Sequence, residues 1–198
     1  RAGSERRAGG STVHHRRRAM KAAFYTGTRS GWRGIGDVLV RWRLRSQISH
    51  CELVFEPGDG VDDLMPRDGQ TMLPTTQPVA GEYWCASSSA TDPMPTWSPR
   101  RAGKSGGVRF KRIDVSDRSK WLLVDVPWAD ARRAAQWFVD HQGALYDWQG
   151  IVGFIAWPVP DKTGRWSCHE ACAAALGHPA PSRTDPAALC ETLLWRTS

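Results

Sequence analysis

The sequence lacks any apolar run long enough to cross a bilayer. Its best candidate, 151-IVGFIAW-157, falls far short of the roughly 20 residues that such a span needs. No apolar core follows the N-terminal arginines either, which excludes a secretory signal peptide and leads us to expect a cytoplasmic protein. Cysteines are few and odd in number: Cys51, Cys85, Cys168, Cys172 and Cys190 follow no disulfide framework, and a reducing compartment is the simpler expectation. Internal repeats are absent. Net positive charge is scarce outside the N-terminal segment. Residues 1–19 hold six arginines against one glutamate and so supply +5 of the net +7, leaving +2 for everything else. A body so nearly balanced has no electrostatic footprint for nucleic acid.

The segment 1–19, RAGSERRAGGSTVHHRRRA, has almost no apolar residues and is expected to be a disordered basic tail. Periodic sequence begins at 20-MKAAFY-25, which makes Met20 the expected natural start and the tail either upstream sequence or a non-native addition. A basic arm for nucleic acid or a membrane surface is the rival reading. Residues 20–198 form one expected domain, large enough to bury a core without disulfides. The 40% hydrophobic and 24% charged content is that of an ordinary globular protein.

Alternation and punctuation predict strands over 22–27, 48–55, 82–88, 107–115 and 121–126. In the fourth, Val108, Phe110 and Arg112 face one way and Arg109, Lys111 and Ile113 the other. Helical spacing of Ile35, Val38, Leu39 and Trp42 predicts a helix over 35–42. Others are expected over 130–141, with Ala131, Ala134, Ala135 and Phe138 inward, over 148–157, over 168–176 and over 185–194. Pro, Gly, Ser and Asp mark 57–81 and 92–107 as loops. Strands in the middle with helices around them predict an α+β fold.

The most informative stretch is 166-WSCHEACAAALG-177. Ser167 and Glu170 make an S-x-x-E capping box, so Ser167 is the expected N-cap, Cys168 the first helical residue and Gly177 the C′ residue. A cysteine there feels unpaired N–H groups and the positive end of the helix dipole, both of which favour a thiolate. Such a residue is a nucleophile, a metal ligand or a small buried hydrophobe. A nucleophile needs a base and a group to orient it. Among the six histidines, His14 and His15 lie in the tail, and His178 lies beyond the helix. His141 is expected at the exposed end of a helix. His169 follows Cys168 directly, and consecutive helical residues diverge by about 100°. His50 remains, at the start of a strand, with Glu52 on the same face and Cys51, Leu53 and Phe55 on the other. A zinc site recruiting Cys168, Cys172, Cys51, His50 and His169 is the competing reading, although C-x3-C is not the usual knuckle spacing. Cys172 is expected as a small core residue. A catalytically silent binding module is the third reading.

Taken together, 49-SHCELVF-55, 84-WCASSS-89, 106-GGVRFKRID-114, 146-YDWQG-150 and 166-WSCHEACAAALG-177 resemble the permuted branch of the NlpC-type papain-like superfamily, distantly akin to lecithin retinol acyltransferase. In that branch a strand histidine precedes the helix-borne cysteine. The resemblance runs over about residues 20–195 and implies a papain-like antiparallel sheet packed on helices. It implies Cys168 as nucleophile, His50 as general base and Glu52 as the third, polar member, with Ser87 and Ser88 on the next strand as alternatives. It also implies Tyr146 near the cleft, Ser167 supporting the nucleophile, and an oxyanion hole that includes the Cys168 N–H. The implied activity is cysteine hydrolysis of an amide in a peptide or peptidoglycan stem, with lipid ester or thioester cleavage or acyl transfer on the same dyad as the alternative. No cofactor is implied. Relatives often carry Ser where His169 stands, and the 57–81 loop reads as an insertion that lids or walls the cleft.

Overall fold

A computed structural model describes residues 20–67, 76–95, 98, 100–147 and 164–197. The expected 1–19 tail and the helix expected over 148–157 lie outside the described residues. The architecture is α+β. Strands β1 (Met20–Tyr25), β2 (His50–Phe55), β3 (Glu82–Pro93), β4 (Ser105–Asp114) and β5 (Trp121–Val126) form one antiparallel sheet in the order β4-β3-β2-β1-β5. Helix α1 (Trp32–Leu44) joins β1 to β2, and α2 (Ala131–His141) follows β5. A two-residue parallel pair, β6 (Leu145–Tyr146) and β7 (Arg165–Trp166), then leads into α3 (Cys168–Ala175) and α4 (Pro186–Thr197). Among the described residues no helix is long and apolar enough to cross a membrane.

Both faces of β2 are covered, and they differ. Cys51, Leu53 and Phe55 point into the main core with Phe24, Phe110, Phe138 and the alanines of α3. His50, Glu52 and Val54 point the other way, where a smaller apolar cluster of Ala23, Val54, Cys85, Val115 and Trp121 sits beside buried charge. Phe110 anchors the main core, its ring 6.1 Å from that of Phe55 and 6.0 Å from that of Phe138. The small residues Ala171, Cys172 and Ala175 are buried and let α3 lie close against β2 and β3.

Helix α3 is bounded as its sequence implies. The Ser167 N–H donates to Glu170 Oε2 at 2.8 Å, and the Ser167 hydroxyl donates to the same oxygen at 2.7 Å. At the other end, Gly177 (φ 79°) donates to Ala174 O and His178 donates to Ala173 O, which is the Schellman pairing.

Several expectations are corrected. Strand β3 runs on to Pro93 rather than ending at 88, because Ser88, Ser89 and Pro93 pair with Val108, Gly107 and Ser105; the two ends of the expected 92–107 loop, 92–93 and 105–107, are therefore strand-bound. The described parts of the 57–81 loop leave and rejoin the sheet at the Phe55 and Glu82 ends, away from His50, and bury Val61 and Met65 in the main core. His141 is not an exposed helix end: its ring stacks on Trp137 at 4.0 Å and meets Trp166 edge-on at 5.6 Å. The apolar stripe of α1 does mark a helix, but Ile35, Val38, Leu39 and Trp42 are exposed whereas Asp37 is buried.

Candidate active site

The first residue of β2 and the first residue of α3 meet. Cys51 and Phe24 form a cross-strand pair in the core, so β2 is fixed with His50 opposite Tyr25 at the sheet's end. Helix α3 packs across β2 and β3 with its N-terminus at that same end. The thiol of Cys168 and the imidazole of His50 interact there as hydrogen-bond and charge partners. Cys168 is buried, and the His50 side chain is only 14% exposed, so the pair is shielded from bulk water.

The imidazole is oriented from behind. Its Nε2 lies 2.7 Å from Glu52 Oε1, leaving Nδ1 as the nitrogen available to the sulfur. Glu52 in turn accepts two bonds from the buried Arg109, Nη1 to Oε2 at 2.9 Å and Nη2 to Oε1 at 2.7 Å. Arg109 Nη2 also donates to Asp92 at 2.9 Å, and Lys111 reaches the same Asp92 oxygen at 3.2 Å. These groups border a cavity of about 280 Å³ on the sheet face opposite α3.

The electrostatics follow from this arrangement. Burial opposes charge on His50, but the Cys168 sulfur and Glu52 outweigh it and hold the imidazole protonated up to about 10. Cys168 is pushed well below the ordinary thiol value. A hydrogen bond from the Cys51 thiol favours its thiolate most, burial opposes it, and the His50 charge adds to the stabilisation. Burial keeps the Cys51 thiol protonated, as a donor must be. Burial also opposes the charge on Glu52, yet Arg109 and His50 hold it below the usual carboxylate range. The result is a buried thiolate–imidazolium pair standing on a chain of alternating charge.

Of the residues singled out from sequence, Cys168, His50 and Glu52 are brought together. Tyr146 is buried and interacts electrostatically with Cys168, and burial together with the nearby sulfur keeps its phenol protonated. Ser167 caps the helix that begins at Cys168, through its box with Glu170. Ser87 and Ser88 do not touch the imidazole. The Ser87 hydroxyl donates to Cys51 O at 2.7 Å, and the buried Ser88 hydroxyl has no hydrogen-bond partner among the described residues. His169 was set aside on helical geometry, yet its ring lies 3.2 Å from Ser167 Oγ and adds to the stabilisation of the Cys168 thiolate. Cys172 is a core residue, its thiol 3.8 Å from Cys51 O. Among the described residues no group of three or more His, Cys, Asp or Glu side chains is placed to hold a metal ion.

Sequence reasoning missed Arg109, Asp92 and Cys51. The signal for Arg109 was its alternation with Lys111 on one face of β4. Only the β2–β3–β4 register shows that this face meets Glu52. Comparison with known protein families, with curated proteins and with solved structures finds no match to this chain.

Proposed function

We propose that this chain is a cysteine hydrolase that cleaves an amide bond of peptide or peptidoglycan type through a Cys168 acyl-enzyme, on a permuted NlpC-type, papain-like fold. The observation that carries the reading is the buried Cys168 placed beside His50, whose Nε2 lies 2.7 Å from Glu52 Oε1, in surroundings that lower the thiol and raise the imidazole. A structural cysteine has no use for a lowered pKa, and burial alone would raise it. The order of a histidine-bearing strand before a cysteine-bearing helix supports the family resemblance.

In the reaction the Cys168 thiolate attacks the carbonyl carbon, and the charge that develops on its oxygen is met by the backbone N–H of Cys168 at the helix start. The His50 imidazolium gives its proton to the leaving nitrogen as the C–N bond breaks, leaving a thioester. Neutral His50 then takes a proton from water. The resulting hydroxide attacks the thioester, and the carbonyl C–S bond breaks to release the acid and restore the thiolate–imidazolium pair. Glu52 holds the ring in one tautomer throughout. Cleavage or transfer of a lipid ester or thioester acyl group is the second reading; the exposed apolar stripe of α1, beside the His50 end of the sheet, favours it.

The test is alkylation of Cys168 by iodoacetamide, followed by peptide mapping across pH. In the wild type Cys168 labels well below pH 8, where an ordinary thiol of pKa about 8.5 is mostly protonated. His50→Ala shifts the onset upward toward that ordinary value, and His169→Ala shifts it less. Labelling of wild-type Cys168 only above pH 8 refutes the proposal.

A further inference from the structure

Helix α1 exposes the side that a core helix would bury. Ile35, Val38, Leu39 and Trp42 stand on its outer face, with Ile35 63% and Trp42 74% exposed. At about 100° per residue these four fall within an arc of about 100°, with Arg43 just past one border and Arg45 just past the other. The inner side is held by polar bonds rather than apolar packing. Arg29 pairs with Asp37 through its Nε and Nη2, the latter at 2.6 Å, and Arg41 donates to Thr26 O at 2.8 Å and Gly27 O at 2.9 Å. From 38 to 49 the chain carries three arginines and no acid, and the one acid of α1, Asp37, is neutralised by Arg29. An apolar stripe with an exposed tryptophan and arginines on both borders, tethered by its inner side, is the pattern of a helix that lies in an interface.

We infer that α1 docks this protein on an anionic lipid bilayer, with Leu39 and Trp42 inserted at the level of the headgroups and Arg43 and Arg45 against lipid phosphates. The bonds from Arg41 to Thr26 O and Gly27 O fasten the helix just past the end of β1, and Ser49 N–H donates to Tyr25 O beside His50. Docking there brings the proposed active site to the membrane surface. That consequence for substrate rests on the cysteine-hydrolase reading; the docking does not.

The experiment is co-sedimentation of the full chain with phosphatidylcholine vesicles and with mixed phosphatidylcholine–phosphatidylglycerol vesicles, with Cys168 alkylation run alongside. The mixed vesicles bind the protein, the neutral ones bind it far more weakly, and added salt releases it. Leu39→Ser with Trp42→Ser weakens binding by about tenfold or more, and Arg43→Gln or Arg45→Asn by about fivefold each. All these side chains lie on the outer face, and unchanged thermal midpoints check that the variants fold. No binding to the mixed vesicles overturns the inference. So does binding that the α1 variants leave intact, which assigns it to the basic segment 1–19, and so does a dimer that Leu39→Ser with Trp42→Ser dissociates while vesicles are ignored. The alkylation profile of Cys168 is independent of all these results, so failure of docking and failure of the active-site reading are told apart.

Discussion

At the scale of single residues, Lys111, Asp92, Arg109, Glu52, His50 and Cys168 form a line in which the charge alternates in sign, ending at the sulfur. Each inner member is held ionised by neighbours of opposite sign, so burial does not neutralise it. Arg109 is the keystone, because it is only 2% exposed and grips Glu52 with two bonds. Arg109→Met leaves Glu52 buried with His50 as its sole cation, and a broken buried pair costs about 3–5 kcal/mol. For a domain of this size that lowers the thermal midpoint by roughly 10 °C, readable by calorimetry. Glu52→Gln acts differently. Arg109 keeps Asp92, so less stability is lost, but His50 loses the carboxylate that raises its pKa. The imidazolium then supports the Cys168 thiolate less well, and alkylation at pH 6 falls. If Glu52→Gln leaves the alkylation profile unmoved while lowering the midpoint, Glu52 is a structural residue and does not tune the imidazole of His50.

At the scale of elements, small residues decide how the site is assembled. Gly107 in β4 has φ 138°, and a Cβ there comes within 2.5 Å of the Ala144 carbonyl oxygen, which is backbone and cannot swing away. The same strand bonds that segment directly, Val108 N–H to Ala144 O at 3.0 Å and Gly143 N–H to Val108 O at 2.9 Å. Gly107 therefore seats the turn that carries Tyr146 beside Cys168. Gly107→Ala strains the backbone by about 1–3 kcal/mol and displaces that turn as well. Gly58→Ala, at φ 98° with nothing within 4 Å, meets only the conformational cost. Thermal midpoints should fall clearly more for Gly107→Ala than for Gly58→Ala; equal losses refute the close-approach account. Elements of this kind divide what is legible in the chain from what is not. Strand β5 and helices α2 and α3 are plain in the sequence, because alternation, an Asp130 cap and the Ser167–Glu170 box are local signals. The end of β3 is not, since the polar run from Ser89 to Pro93 gives no strand signal until β4 pairs with Ser89 and Pro93. Cys168, His50 and Glu52 were legible because a helix start and a strand period place them. Arg109 was not, because a lone arginine reads as solvent-facing until the register of three strands sets it against Glu52.

At the scale of the whole molecule, the charged site ties stability to pH in a form that a neutral site cannot. An unfolded Cys168 and His50 lose protons near 9.0 and 6.5. Folded, the thiol titrates well below 9.0 and the imidazole at about 10. Between roughly pH 6.5 and 9 the folded and unfolded pairs each hold one proton, so stability from the pair is flat there. Below 6.5 the unfolded chain binds a second proton that the folded thiolate refuses, and stability falls as pH falls. Glu52 and Asp92, both depressed in the fold, add their own loss only as pH drops below their ordinary values of 4.5 and 3.8. Above pH 9 the loss is shared. His50 still holds its proton there, and burial has raised Cys51, Cys85 and Cys190, the last to about 11, so the unfolded chain gives up protons that the folded one keeps. Thermal midpoints measured at pH 4, 5.5, 7.5 and 9.5 separate these contributions. The wild type loses stability between 7.5 and 5.5, whereas Cys168→Ala lacks that loss, because no thiolate is left to refuse the second proton and Glu52 and Asp92, both lowered in the fold, do not titrate in that window. Both proteins fall at pH 4 and at pH 9.5. A wild-type midpoint that stays level from 7.5 down to 5.5 means Cys168 is an ordinary thiol in the fold, and the ion pair does not exist.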